Sequence, residues 1–132
     1  MRVLLDTSAY SAFLAGNRDI GALVETTEEI YVSPVVLGEL HAGFLRGSRR
    51  RRNLDLLNRF LSSPRVESLD ITPATSERYA LIVDTLRSAG TPIPANDVWI
   101  AATAMEYGLR VVTTDRHFQL VQGLLVDCFS VI

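Results

Sequence analysis

Four acidic residues stand where a carboxylate is placed to do more than face water. Asp6 stops the apolar run Val3-Leu4-Leu5 in "VLLDTSAY", and Asp115 ends "VVTTD". Asp97 opens the helical pattern "NDVWIAATAMEYG", in which Ile100, Ala101, Ala104 and Met105 share one face at three- and four-residue spacing. Asp97 lies on that same face, one turn earlier. A helix dipole favours an acid in the first turn by a few tenths to ~1 kcal/mol. That explains an acid there, but not its place on the apolar side. Glu39 flanks the stripe Val36, Leu40, Phe44 in "SPVVLGELHAGFL", with Gly43 one turn on leaving room for close approach. Periodicity alone does not separate Glu39 from an ordinary acid on a half-buried helix.

Carboxylates gathered in one place repel one another and shift each other's pKa. A divalent cation among them removes that cost. Oxygen ligands favour a hard ion, Mg²⁺ or Mn²⁺, over zinc, which takes His and Cys. His41 and His117 show no metal-ligand spacing with each other and read as surface or phosphate-facing groups. Asp after a strand also commonly caps the following helix. For Asp6 the neighbouring Thr7 and Ser8 can start the helix, so capping does not require the acid.

The elements that must position these acids alternate between strand and helix. Val3–Leu5 reads as the first strand, followed by a helix from about Ser8 towards Ala15 and a short one over Ile20–Glu25. Ile30–Val32 is a second strand, and Ser33-Pro34 supplies an N-cap and a first-turn proline. A helix over "VVLGELHAGFL" follows, then one over "RRRRNLDLLNRFL" with Leu54, Leu57 and Leu61 at helical spacing, and a strand over Val66–Leu69. Thr72-Pro73 opens a helix carrying Tyr79, Ile82, Val83 and Leu86 on one face, with Gly90 past its end. After the loop "TPIPAN", the Asp97–Tyr107 helix closes on Gly108; the strand "LRVVTTD" and a last strand over Leu124–Val126 complete the chain. This order predicts one α/β domain over residues 1–132, a mostly parallel sheet of four or five strands with helices on both faces. Ligands of such sheets bind outside the carboxyl ends of the strands. Asp6 and Asp115 both emerge there.

Composition sets the remaining bounds. The 132 residues, 48% of them hydrophobic, suffice for one buried core. No apolar run approaches the roughly 20 residues of a membrane span or the core of a signal peptide. A single cysteine, Cys128, fits a reducing cytoplasm. The net charge of −2 does not advertise nucleic-acid binding, yet all 13 basic residues are arginine and Arg49–Arg52 form a run. The run reads either as a solvated helix face or as a phosphate-binding surface.

Taken together, "LLDTSAY", "SPVVLGELHAGF", "IPANDVWIAATAMEYG" and "VVTTDRHFQLVQGLLV" resemble the PIN domain, specifically the VapC-type toxins of prokaryotic toxin–antitoxin pairs. The resemblance runs from Met1 to the last strand and implies a PIN-like three-layer sandwich. It implies that Asp6, Glu39, Asp97 and Asp115 are the catalytic, metal-binding acids of an Mg²⁺- or Mn²⁺-dependent endoribonuclease. Thr7, Ser8, Asn96 and Thr114 match polar positions that orient carboxylates, water or phosphate, and Arg116 is a phosphate-positioning candidate. The resemblance further implies a VapB-like antitoxin over the helices near the acidic cleft, with Tyr10, Phe13 and Phe44 as groove or core residues. It also implies a homodimer and a higher toxin–antitoxin assembly, with Trp99 as a dimer contact or a core residue. A phosphatase with an Asp nucleophile is disfavoured, because Asp6 is followed by Thr-Ser-Ala and lysine is absent. A non-cleaving RNA- or partner-binding scaffold and a DNA-cleaving relative remain as alternatives.

Overall fold

The computed structural model describes residues 1–131. Five parallel strands form one sheet: β1 (Arg2–Leu5), β2 (Glu29–Val32), β3 (Val66–Ser68), β4 (Arg110–Thr113) and β5 (Val126–Cys128), in the spatial order β3-β2-β1-β4-β5. The sheet is wholly parallel, and β1, which carries Asp6 at its end, is central. Both faces are covered, as parallel strands require. Val3, Leu5, Ile30 and Val112 pack with Ala9, Ala12, Ile20 and Val24 from α1 (Thr7–Leu14) and α2 (Arg18–Thr26). Leu4, Tyr31 and Val111 face the other way, towards α3 (Pro34–Arg46), α4 (Arg50–Leu61), α5 (Pro73–Ser88) and α6 (Ala95–Tyr107). Alternation along each strand therefore builds the three layers.

Local chemistry sets the helix ends. Ser33 caps α3 by accepting from the Val36 N–H at 3.3 Å, with Pro34 at the first helical position. Gly108 ends α6 in the left-handed region at φ 67°, which glycine adopts without a Cβ penalty. At the start of α5, the Thr72 and Thr75 hydroxyls both donate to the Glu106 carboxylate, tying α5 to α6.

Four expectations shift. The helix α6 begins at Ala95, not Asp97, so Asn96 is helical and Asp97 sits inside the first turn. That helix is buried nearly all round, with Val98 and Ile100 to Ala104 inside, because it lies between the sheet, α3 and α5. The last strand is Val126–Cys128 rather than Leu124–Val126: Val126, Asp127 and Cys128 pair with Val111, Val112 and Thr113, while Leu125 stays exposed. The segment after Asp115 forms a 3-10 helix over Arg116–Leu120 that buries Phe118. Gly43 approaches nothing; a Cβ there meets open space.

Candidate active site

The Asp6 backbone continues the β1 ladder, its N–H donating to the Val112 carbonyl at 3.2 Å. Its side chain is buried, 4% exposed, between the start of α1 and the end of β4. Oδ1 accepts from the Ala9 N–H at 2.8 Å and Oδ2 from the Thr113 hydroxyl at 2.6 Å. The Ser8 hydroxyl reaches both oxygens, at 2.7 and 2.9 Å. Asp6 is thus the N-cap of α1, which corrects the expectation that Thr7 and Ser8 start the helix without it. Three donors leave part of its four-lone-pair capacity free. Burial pushes the Asp6 carboxyl above the usual range; the Thr113, Ala9 and Ser8 hydrogen bonds oppose this, and the charge of Asp97 adds to it.

Asp97, in the first turn of α6, and Asp115, just past β4, converge on His117. The His117 Nδ1 lies 3.3 Å from Asp97 Oδ2 and 3.2 Å from Asp115 Oδ2. The His117 backbone N–H also donates to Asp115 Oδ1 at 2.9 Å, so one carboxylate fixes the turn that presents the ring. Burial raises the Asp97 carboxyl, His117 counteracts it, and the charges of Asp115 and Glu39 raise it further. Asp97 therefore feels Asp115 and Glu39, and Asp6 feels Asp97. Asp97 and Asp115 bring carboxylate oxygens together at His117, while Asp6 and Glu39 lie outside that group of ligand atoms and act on it through charge.

Glu39, on α3, is clamped between two other helices. The Thr7 hydroxyl donates to its Oε1 at 2.5 Å and the Asn96 amide to its Oε2 at 3.2 Å. The expected supporting roles of Thr7, Ser8 and Asn96 thus correspond to hydrogen bonds on the acids. Thr114 acts through its backbone: its N–H donates to Ser8 Oγ at 3.0 Å. Arg116 is exposed and touches none of the acids by hydrogen bond or ion pair among the described residues.

Two members of the site escaped the sequence. Thr113, fully buried, donates to Asp6 and accepts from the Asp115 N–H at 2.9 Å, joining two acids through one hydroxyl. The strand alternation of β4 is the signal for it, since Thr113 and Thr114 must point to opposite faces. His117 is the other: it is exposed, as expected of a surface group, but its ring faces Asp97 and Asp115. Its partner Asp97 is twenty positions away in the chain, so spacing to His41 carried no information. His41 is exposed and sits edge-on to Phe44.

Asp97, Asp115 and His117 each offer one ligand atom, all within 4.8 Å of one another. Two carboxylate oxygens and an imidazole nitrogen, with the charges of Asp6 and Glu39 behind them, fit a divalent cation.

The PIN domain family model matches residues 3–124. The chain is also 38% identical to Ribonuclease VapC4 of Mycobacterium tuberculosis over 117 residues, 89% of this chain and 88% of that one. The chain belongs to the PIN domain family, among its VapC ribonucleases. Solved structures carry the same fold. VapBC2 from Rickettsia felis, bound to a DNA fragment from its promoter, superposes with a TM-score of 0.87 at 25% identity, covering 96% of this chain and 98% of that one. VapBC-5 from Mycobacterium tuberculosis, a member of the VapBC family of toxin–antitoxin systems, gives 0.75 at 28% identity, covering 98% of each chain. As a VapC-type PIN protein the chain is a ribonuclease of the toxin class, and its parallel sheet is the PIN fold.

Proposed function

We propose that this VapC-type chain hydrolyses RNA phosphodiester bonds with Mg²⁺ or Mn²⁺ held by Asp97, Asp115 and His117, Asp6 and Glu39 completing the site. The convergence of Asp97, Asp115 and His117 at the carboxyl end of the sheet carries this reading. A divalent cation held there supplies positive charge against the phosphate oxygens and lowers the pKa of water. Glu39, oriented by Thr7 and Asn96, accepts the proton of the attacking water. Thr113 and Ser8 hold Asp6 in one rotamer beneath the cluster. In-line attack breaks the P–O3′ bond and leaves a 5′-phosphate, and the departing 3′-oxygen takes a proton from solvent to become the 3′-hydroxyl. Arg116 and the exposed Arg49–Arg52 run contact phosphates of the bound RNA, which sets affinity rather than sequence choice. An RNA target and a single free thiol, Cys128, support a reducing cytoplasmic compartment. Among the described residues no helix is long and apolar enough to cross a membrane.

A ribonuclease of this kind needs restraint, and the VapBC assemblies of its relatives support a VapB-like antitoxin as partner. A groove of about 270 Å³ between α1 and α4, lined by Phe13, Leu14, Leu56, Arg59 and Phe60, fits an antitoxin segment. Of the three residues read as groove or core, Phe44 is buried in the core and Tyr10 has no exposed surface, its ring forming the groove floor. Only Phe13 keeps exposure, being half-buried. Trp99, half-buried, stacks on Tyr79 at 4.1 Å beside the solvent-facing loop before α6, a face suited to a second copy in a homodimer or a larger toxin–antitoxin assembly.

The test uses antitoxin-free protein, total RNA and either cation, with Asp6→Asn as control. Asparagine still caps α1 but removes the charge. Cation-dependent cleavage lost in the variant, with its melting temperature kept, supports the reading. RNA left uncut by the wild type overturns it in favour of a binding scaffold, and cleavage of DNA alone overturns the RNA assignment.

A further inference from the structure

The residues flanking Asp115 at the exit of β4 and the end of β5 enclose a concavity of about 450 Å³. Its walls include Thr114, Arg116, Gln119, Cys128, Phe129 and Ser130. We propose that this concavity seats the base of the RNA nucleotide next to the scissile phosphate, with Gln119 reading its hydrogen-bonding edge. The proposal rests on the ribonuclease reading above and adds to it a specificity-determining subsite.

Four observations converge on it. The first is continuity: Thr114 and Arg116 flank Asp115 in the chain, so a nucleotide whose phosphate lies at the acids has its neighbour within reach of this wall. The second is size, which falls within the several-hundred-Å³ range of small-ligand pockets. The α1–α4 groove is both smaller and more apolar in its lining residues.

The third is chemistry. Proteins bind unstacked RNA bases by stacking them on aromatic rings or guanidinium planes and by hydrogen-bonding their edges. Phe129 supplies the face, the Gln119 amide supplies a paired donor and acceptor, and Arg116 meets the adjoining phosphate. Arg116 and Gln119 are exposed, and neither side chain makes a hydrogen bond or ion pair among the described residues. Both are free for a ligand. The fourth is rigidity. The Phe129 N–H donates to the Thr113 carbonyl at 2.8 Å, and the Asn17 amide donates to the Ser130 carbonyl at 3.2 Å. Thr113 therefore fixes the floor of the concavity through its backbone and Asp6 through its side chain. Base and scissile phosphate are held in one frame.

The test has two arms. In the first, total RNA is cut by the wild type and by Gln119→Ala, and the cut ends are sequenced. The expected result is a base preference at one flanking position that the variant relaxes about tenfold, with other positions and the melting temperature unchanged. In the second, short single-stranded RNA is added without divalent cation, and alkylation of the Cys128 thiol is followed; bound RNA is expected to slow it. An unchanged preference in Gln119→Ala together with unprotected Cys128 overturns the subsite while leaving the ribonuclease intact. RNA left uncut by the wild type overturns the ribonuclease reading instead, and Cys128 protection then decides the subsite alone. Protection by the antitoxin but not by RNA overturns it as well.

Discussion

Replacing Asp97 by Asn separates the electrostatic cost of the cluster from its use. Asp97 and Asp115 bring carboxylate oxygens within 4.8 Å of each other. Two unit charges at that separation repel by about 0.9 kcal/mol in bulk water and about 3.5 kcal/mol at an effective dielectric constant near 20. Asp97 keeps 17% and Asp115 37% of its side chain exposed, so solvent screening puts the repulsion near the lower figure, about 1 kcal/mol. A domain of this size converts 1 kcal/mol into roughly 4 °C of melting temperature. Without divalent cation at pH 8, the Asp97→Asn variant is therefore expected to melt roughly 4 °C above the wild type. Cation reverses the order: at a hundredfold excess over Kd it adds about 2.7 kcal/mol, or roughly 10 °C, to the wild type. The variant, lacking a charged ligand, gains little.

The pH dependence follows from the raised Asp97 carboxyl. A folded pKa above the unfolded one means that ionisation costs stability: the contribution is complete below the unfolded value and lost as pH rises through the folded one. The gap between cation-free variant and wild type should thus close as pH falls to about 4. Scanning fluorimetry with and without Mg²⁺, at several pH values, reads all three quantities. A variant that melts below the wild type without cation, or that keeps the full cation shift, refutes the reasoning.

Thr113→Val keeps the shape of a buried residue but leaves the Asp115 N–H without its acceptor and Asp6 without a donor. A loss of about 1–3 kcal/mol in chemical unfolding and a roughly 10- to 100-fold weaker cation affinity are expected; an unchanged cation titration removes Thr113 from the site. His117→Ala should weaken Mn²⁺ more than Mg²⁺, since imidazole is a better ligand for the former, and cation-dependent melting shifts compare the two directly. Leu14→Arg puts a charge at the rim of the α1–α4 groove. Co-purification with antitoxin should fall at least tenfold, about 1.4 kcal/mol, while cleavage by the free protein stays at the wild-type rate.

The sheet was legible because its strands are short apolar runs buried on both faces, and the helix ends because Ser33-Pro34 and Gly108 obey local rules that packing does not override. Reading failed where long-range contacts decide. Leu124-Leu125-Val126 is the most apolar stretch near the end of the chain, yet the strand lies later. Asp127, within it, forms a bidentate pair with Arg110 on β4, at 2.6 and 3.0 Å. Apolar character left Tyr10 and Phe44 open between core and groove, and burial decides for the core. The acids were legible as strand-end and helix-face carboxylates. Thr113 and His117 were not, because a hydroxyl one residue from the expected one and an imidazole facing a distant helix become site residues only once β4 and α6 are set side by side.

Asp6 shows why such a site resists simple mutagenesis. The same carboxylate caps α1, anchors the end of β4 through Thr113 and carries charge into the cluster. Removing it with alanine subtracts a cap worth about 1 kcal/mol along with the charge, so lost activity reports a loosened helix as readily as a lost ligand. Thr7, which orients Glu39, is the first residue of that same helix. A frayed α1 therefore misplaces Glu39 as well. The fold and the site share hydrogen bonds, and only substitutions that keep the helix-end hydrogen bond while removing the charge separate the two. For that reason Asp6→Asn and Asp97→Asn, rather than alanine scans, are the informative changes in this protein.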